Sequence, residues 1–143
     1  MAHLEKLLGE EVEGKDGNRV QVQSLVENDR LGLYFSAHWC PPCRGFTPVL
    51  VDCYKAVKAA GKKLEIIFVS FDRDIGSCKE YYSSMPWLLL PFDSDQKDEL
   101  AEKYGVSGIP ALILLDPKTG TLVSKDGRSC VEADKNGDKF PWK

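Results

Sequence analysis

Hydrophobic positions change their spacing several times along this chain, and each change marks an element. Over residues 1–10, Leu4, Leu7 and Leu8 share one face at helical spacing, which predicts a short amphipathic helix. Gly14, Asp16, Gly17 and Asn18 predict a turn; Val20, Val22 and Leu25, interleaved with polar residues, predict a hairpin strand. Leu31 to Ser36 is a short apolar run with aromatic residues, the pattern of a strand buried on both faces. Ala37, His38 and Trp39 form a loop. From Pro42 the period turns helical, with Phe46, Val49, Leu50, Cys53 and Val57 on one side, a kink expected at Pro48 and Gly61 as the stop. Leu64 to Phe71 reads as a second buried strand, Ile75 to Ser84 as a helix ending before Pro86, and Asp95 to Tyr104 as a helix closed by Gly105. Ala111 to Leu115 is a third strand, residues 116–120 a turn, and Thr121 to Ser124 a fourth strand pairing back. Asp126-Gly127 marks a further turn before the tail Phe140-Pro141-Trp142.

Strand, helix, strand, helix and strand hairpin follow one another in that order. The first part is a βαβ unit with a parallel crossover, and the hairpin adds antiparallel strands to the same sheet. The expectation is an α/β fold: a central mixed sheet flanked by helices, with an N-terminal helix and hairpin extension. No linker or repeat interrupts residues 1–143, so they are expected to form a single domain.

Bulk composition narrows the function. Hydrophobic residues make up 43% and charged residues 29% of the chain, a globular balance. The net charge of −3 gives no sign of a nucleic-acid binder. No apolar run reaches membrane-spanning length, and Met1 to Lys6 lacks the basic-then-apolar pattern of a signal peptide. A reducing compartment is therefore expected: the cytoplasm, with nuclear residence left open.

Five cysteines stand at positions 40, 43, 53, 78 and 130, and only Cys40 and Cys43 are close in sequence. An odd count without secretion argues against a disulfide framework and leaves one redox-type or metal-type pair. Cys40 follows a buried strand and directly precedes a helix. The first helical turn offers unpaired N–H groups and the positive end of the macrodipole, both of which favour a thiolate over a thiol. Cys43 lies one turn on, better shielded, and within reach of a bridge to Cys40. The expected division of labour has Cys40 attacking a substrate disulfide and Cys43 resolving the mixed disulfide, after which an external reductant resets the pair. Pro41 and Pro42 suit early helix positions and donate no hydrogen bond, which leaves the Cys43 N–H as the backbone donor to the Cys40 sulfur. Arg44 adds a positive charge nearby.

Zinc is the competing reading of C-x-x-C. A structural zinc site needs four ligands, however, and this chain has neither a second C-x-x-C nor an H-x-x-x-H. Neither a metal nor a cofactor is expected. Ile109-Pro110, after Gly108 and before a buried strand, is the second element of interest. A cis peptide would bring the Ile109 backbone against the cysteine loop, where it could hydrogen-bond an extended substrate segment. An ordinary trans proline opening a strand is the alternative.

Residues 31–48, LGLYFSAHWCPPCRGFTP, resemble the nucleoredoxin and tryparedoxin branch of the thioredoxin superfamily. The resemblance extends to residues 65–70 (EIIFVS), Met85-Pro86-Trp87-Leu88, Pro91-Phe92, Gly108-Ile109-Pro110 and Phe140-Pro141-Trp142-Lys143, which spans nearly the whole chain. It implies a thioredoxin fold, Cys40 as nucleophile, Cys43 as resolving thiol and Pro110 as a cis proline. It also implies a substrate groove flanked by Trp39, with Pro41, Ile109 and Pro110 among the substrate-contacting residues. Thioredoxin itself carries a buried aspartate on the strand before the motif, where this chain has Tyr34. That substitution leaves the proton acceptor for Cys43 open between a water and Asp72.

Other residues have ordinary readings. Cys53 and Cys78 are expected as small core residues, and Cys130 as a surface thiol in a polar loop. His38 either raises thiolate character at Cys40 or simply faces solvent. Trp87 and Trp142 are expected to pack. Two function classes follow. One is a protein-disulfide reductase fed by a dithiol reductant or a reductase and acting on disulfide-containing proteins. The other, which the nucleoredoxin resemblance allows, is a redox-controlled protein-binding module. A dedicated peroxidase fits the C-x-x-C geometry less well.

Overall fold

The computed structural model describes residues 2–142; Met1 and Lys143, the outer ends of the predicted first helix and of the terminal motif, lie outside the described residues. Three strands form the centre: β3 (Arg30–Ser36), β4 (Leu64–Ser70) and β6 (Ala111–Asp116). β3 pairs parallel to β4 and antiparallel to β6, which is the predicted βαβ unit with a hairpin strand added. β7 (Thr121–Ser124) pairs back on β6. The other side of the sheet carries β5 (Leu88–Leu89), β1 (Glu11–Glu13) and β2 (Arg19–Gln21), giving the order β2-β1-β5-β4-β3-β6-β7.

Helices cover both faces, and this explains why the central strands read as continuous apolar runs. Tyr34, Ile66, Phe68, Leu112 and Leu114 point to the face packed by α2 (Pro41–Ala59), α3 (Ile75–Tyr82) and α5 (Gly127–Ala133). Their alternating neighbours Leu33, Phe35, Ile67, Val69 and Ile113 point to the face packed by α1 (Ala2–Leu8) and α4 (Gln96–Lys103). The long helix α2 runs from Pro41 through Pro48 to Ala59. It closes as expected at Gly61, whose φ is +78°: the Gly61 amide donates to the Lys58 carbonyl at 3.0 Å and the Lys62 amide to the Val57 carbonyl at 3.1 Å. Among the described residues, no helix is long and apolar enough to cross a membrane.

The structure departs from the sequence reading at four places. The first helix ends at Leu8, and the three residues of β1 follow it. Val22 and Leu25 do not continue a strand; they are the buried residues of a 3-10 helix over Val22–Glu27. Their separation of three residues matches that helix's period rather than a strand's. β5 is only two residues long and appears where no strand was expected. Residues 127–133 form α5 instead of a turn and polar loop, because Gly127 and Val131, one turn apart, are both buried against the core. Cys130 consequently sits on a helix and packs partly buried against that core.

After α5 the chain is pinned by Asp134, whose carboxylate accepts from the Lys139 amide at 2.7 Å and from the Trp142 indole at 2.8 Å. Within this turn Gly137 has φ +72°, and a Cβ there would run into Val57 on α2. Gly137→Ala is expected to cost about 2–4 kcal/mol, from overpacking together with a left-handed backbone. Urea unfolding should show a lower midpoint, while activity per folded molecule stays unchanged.

Candidate active site

β3 ends at Ser36, and residues 37–39 carry the chain over the sheet edge to Cys40. Asp72 fastens this loop: its Oδ1 accepts from the His38 amide at 2.8 Å, and its Oδ2 accepts from the Ser70 hydroxyl at 2.9 Å. The Trp39 indole donates to the Phe71 carbonyl at 3.0 Å and leaves the ring 51% exposed, with the Arg73 guanidinium 5.7 Å from its centroid. His38 does not simply face solvent; its ring stacks on Tyr81 at 5.2 Å.

Cys40 is the N-cap of α2, and Pro41 and Pro42 take the first two helical positions. Its sulfur accepts from the Cys43 amide at 3.3 Å, the backbone donor expected from the two prolines. The Cys40 thiol also lies 3.8 Å from the Ile109 carbonyl. Cys40 retains a 4% opening to solvent, whereas Cys43 beneath it has none. Pro41, Pro42 and Arg44 are exposed around this opening. Ile109-Pro110 is a cis peptide, with Pro110 buried and Ile109 packed against the pair of cysteines. Ile109 thus packs with Cys40 and Cys43, and Trp39, Pro41 and Pro110 are their immediate neighbours along the chain.

Burial pushes the Cys43 thiol up to about 11, with the hydrogen bond to Cys40 acting in the same direction. Burial also raises Cys53 to about 11, with Asp134 adding to the effect. A raised value in the folded state favours the protonated thiol. The associated stability is therefore complete below about pH 9 and is lost as pH climbs towards 11. Oxidised protein, in which Cys43 has no proton to lose, should lose less. Thermal melts of both forms at pH 8 and pH 10 test this; an equal drop in the two forms would contradict it.

The remaining cysteines lie elsewhere. Cys53 faces the Asp134 carbonyl at 3.8 Å, and Cys78 is buried on α3. Among the described residues, no three His, Cys, Asp or Glu side chains are grouped so as to hold a metal ion. Asp72 makes no hydrogen bond to Cys43, since both its oxygens serve the loop and β4. The groups directly behind Cys43 are hydroxyls. Thr47 donates to the Cys43 carbonyl at 2.9 Å and lies 2.6 Å from both Tyr34 and Tyr81. The sequence reading missed Thr47, Tyr81 and Ser36 as site residues. Thr47 carried a usable signal, because it is one helical turn beyond Cys43. Tyr81 carried none.

Comparison with known proteins places the chain in a family and matches its fold. Residues 28–122 match the family model described as thioredoxin-like. Nucleoredoxin of Bos taurus is 50% identical over 120 residues, which is 83% of this chain and 27% of that protein. The chain therefore spans about a quarter of the length of such a nucleoredoxin. Tryparedoxin of Trypanosoma brucei brucei is 45% identical over 124 residues, covering 86% of this chain and 85% of that one. The solved structure of tryparedoxin from Trypanosoma brucei superposes with a TM-score of 0.91 at 40% identity, covering 98% of this chain and 97% of that chain.

Proposed function

We propose that this chain, which belongs to the thioredoxin-like family of oxidoreductases, works as a protein-disulfide reductase through dithiol–disulfide exchange at Cys40 and Cys43. The observation that carries the reading is the Cys43 amide aimed at the Cys40 sulfur from the first turn of α2, with a second, more deeply buried thiol on the same turn. That amide and the helix N-terminus stabilise negative charge on the Cys40 sulfur. Cys40 attacks a substrate disulfide, forming one S–S bond and expelling one substrate thiolate. Cys43 then attacks Cys40, forming the Cys40–Cys43 bond and releasing the second substrate thiol. The substrate has gained two electrons and the pair has lost two. A dithiol reductant or a reductase returns them.

Trp39, Pro41, Ile109 and Pro110 form the walls against which a disulfide-containing segment lies. An extended segment can pair with the backbone at Ile109, beside the attacking sulfur. The likeness to nucleoredoxin, of which this chain spans about a quarter, favours a second reading: a redox-gated binding module using the same mouth. Insulin reduction with dithiothreitol separates the two. A reductase turns over many equivalents of insulin disulfide, whereas a binding module retains its partner in one redox state without turnover. In either role the resting form is the dithiol, which suits a reducing compartment such as the cytoplasm.

A further inference from the structure

Beside the cysteines lies a cleft that has no part in the mechanism above. Its volume is about 380 Å³, and Trp39, Arg44, Asp72, Arg73 and Asp74 line it. It adjoins the attacking sulfur, because Trp39 directly precedes Cys40 and Arg44 follows it by one helical turn. The two acids of the cleft are already engaged. Asp72 is buried with both oxygens accepting, one from the His38 amide and one from the Ser70 hydroxyl. Asp74 caps α3, its Oδ1 accepting from the Ser77 amide at 2.7 Å. The two cations are not engaged: Arg44 and Arg73 are exposed, and among the described residues neither guanidinium forms a salt bridge. The Trp39 ring, its centroid 5.7 Å from the Arg73 guanidinium, holds that charge at the cleft, and the indole bond to the Phe71 carbonyl fixes the ring. Arg44 stands at the start of α2, whose first turn holds no acidic residue although that end of a helix favours negative charge. The chain as a whole carries a net charge of −3, so this positive rim is local.

Building on the dithiol-exchange reading, we propose that Arg44 and Arg73 make the site selective for disulfides in acidic protein segments. Aspartate or glutamate carboxylates beside the attacked cysteine dock on the two guanidiniums. Each guanidinium presents five N–H donors in a planar fork that matches a carboxylate, so the cleft has donors to spare while its own acids are spent on the fold. A carboxylate arriving here also meets the positive end of α2. A basic segment meets like charge and is disfavoured. The selection acts on capture, the first attack by Cys40. The second attack joins groups already held in one mixed disulfide, so it gains little from docking. Bonds and electrons move as in the exchange described above, and the arginines bind without taking or giving a proton.

Single-cysteine peptides activated as 2-pyridyl disulfides read capture alone, because attack by Cys40 on the peptide sulfur releases pyridine-2-thione. Three peptides differ only in the residues on either side of the cysteine, which are Asp, Asn or Lys. Each rate constant is taken relative to that of dithiothreitol on the same peptide. At low ionic strength the reduced wild-type protein should capture the Asp peptide about tenfold faster than the Asn peptide, and the Lys peptide more slowly than either. The Asp preference should shrink to about twofold in about 0.5 M salt. In the double variant Arg44→Gln, Arg73→Gln the Asp-to-Asn ratio should fall to about one. A wild-type ratio of about one overturns the proposal, as does a ratio that survives the double substitution. An equal loss on the Asp and Asn peptides also overturns it, since the arginines would then activate the Cys40 sulfur rather than choose its substrate. Should the double variant not fold, a wild-type preference indifferent to salt still overturns it. If Cys40→Ser releases pyridine-2-thione as fast as the wild-type protein, the dithiol-exchange reading itself fails; a Cys40-dependent release that is alike for all three peptides sinks the selectivity alone.

Discussion

Cys40→Ser is expected to reduce insulin-disulfide turnover by about a thousandfold or more, to the rate of dithiothreitol alone. The reason is chemical. A serine hydroxyl at this N-cap can still accept from the Cys43 amide, so the helix start and the loop keep their geometry. It cannot attack a disulfide, because the hydroxyl is almost never ionised near neutral pH and a sulfur–oxygen bond is a poor exchange. Thermal unfolding should therefore stay near the wild-type midpoint while turnover vanishes. No other thiol is placed to substitute. Cys43 is closed off beneath the mouth, Cys53 and Cys78 are buried elsewhere in the core, and the half-buried Cys130 on α5 packs against the α2 side of the core rather than with Cys40 and Cys43. Retained turnover at even a tenth of the wild-type rate would remove Cys40 from the nucleophile's role.

The two halves of this molecule differ in how far they could be read from the chain. β3, β4 and β6 were legible because each is buried on both faces, so composition alone marks them. The cysteine pair was legible because its signal is local: a buried strand, a short loop, a helix start and two prolines. β1 and β5 were not: β5 is defined by distant partners, Leu89 lying opposite Glu13 and Phe68, and β1 by a pairing with β2 only three residues long. Two or three residues leave no period to detect. α5 was hidden because its buried face amounts to Gly127 and Val131. The hydroxyl cluster was hidden for the same reason as β5. Ser36, Thr47 and Tyr81 lie 11, 34 and 45 positions apart pairwise and meet only because strand, helix and helix pack together. Tyr34 is tolerated as a buried phenol on β3 because its hydroxyl is hydrogen-bonded to Thr47.

Cys43→Ser should leave the first attack intact and stop the cycle halfway. Cys40 keeps the serine amide as donor, so it still captures a substrate disulfide and expels one thiolate. The second attack has no sulfur to make it. The mixed disulfide should then persist about a hundredfold longer than in the wild-type protein, until external thiol cleaves it. On a non-reducing gel the variant should run as a discrete adduct with reduced-and-blocked partner proteins absent and disulfide-containing ones present, and dithiothreitol should dissolve that adduct. The wild-type protein should show almost none, because its resolving sulfur sits on the same helical turn. The comparison also decides between the two readings of this mouth. A reductase accumulates covalent adducts only when Cys43 is removed, whereas a binding module holds its partner equally well with either residue at position 43 and releases it without thiol. An adduct from Cys43→Ser that disappears as fast as wild type, with no thiol added, would mean that another group resolves it and that Cys43 has been assigned the wrong task.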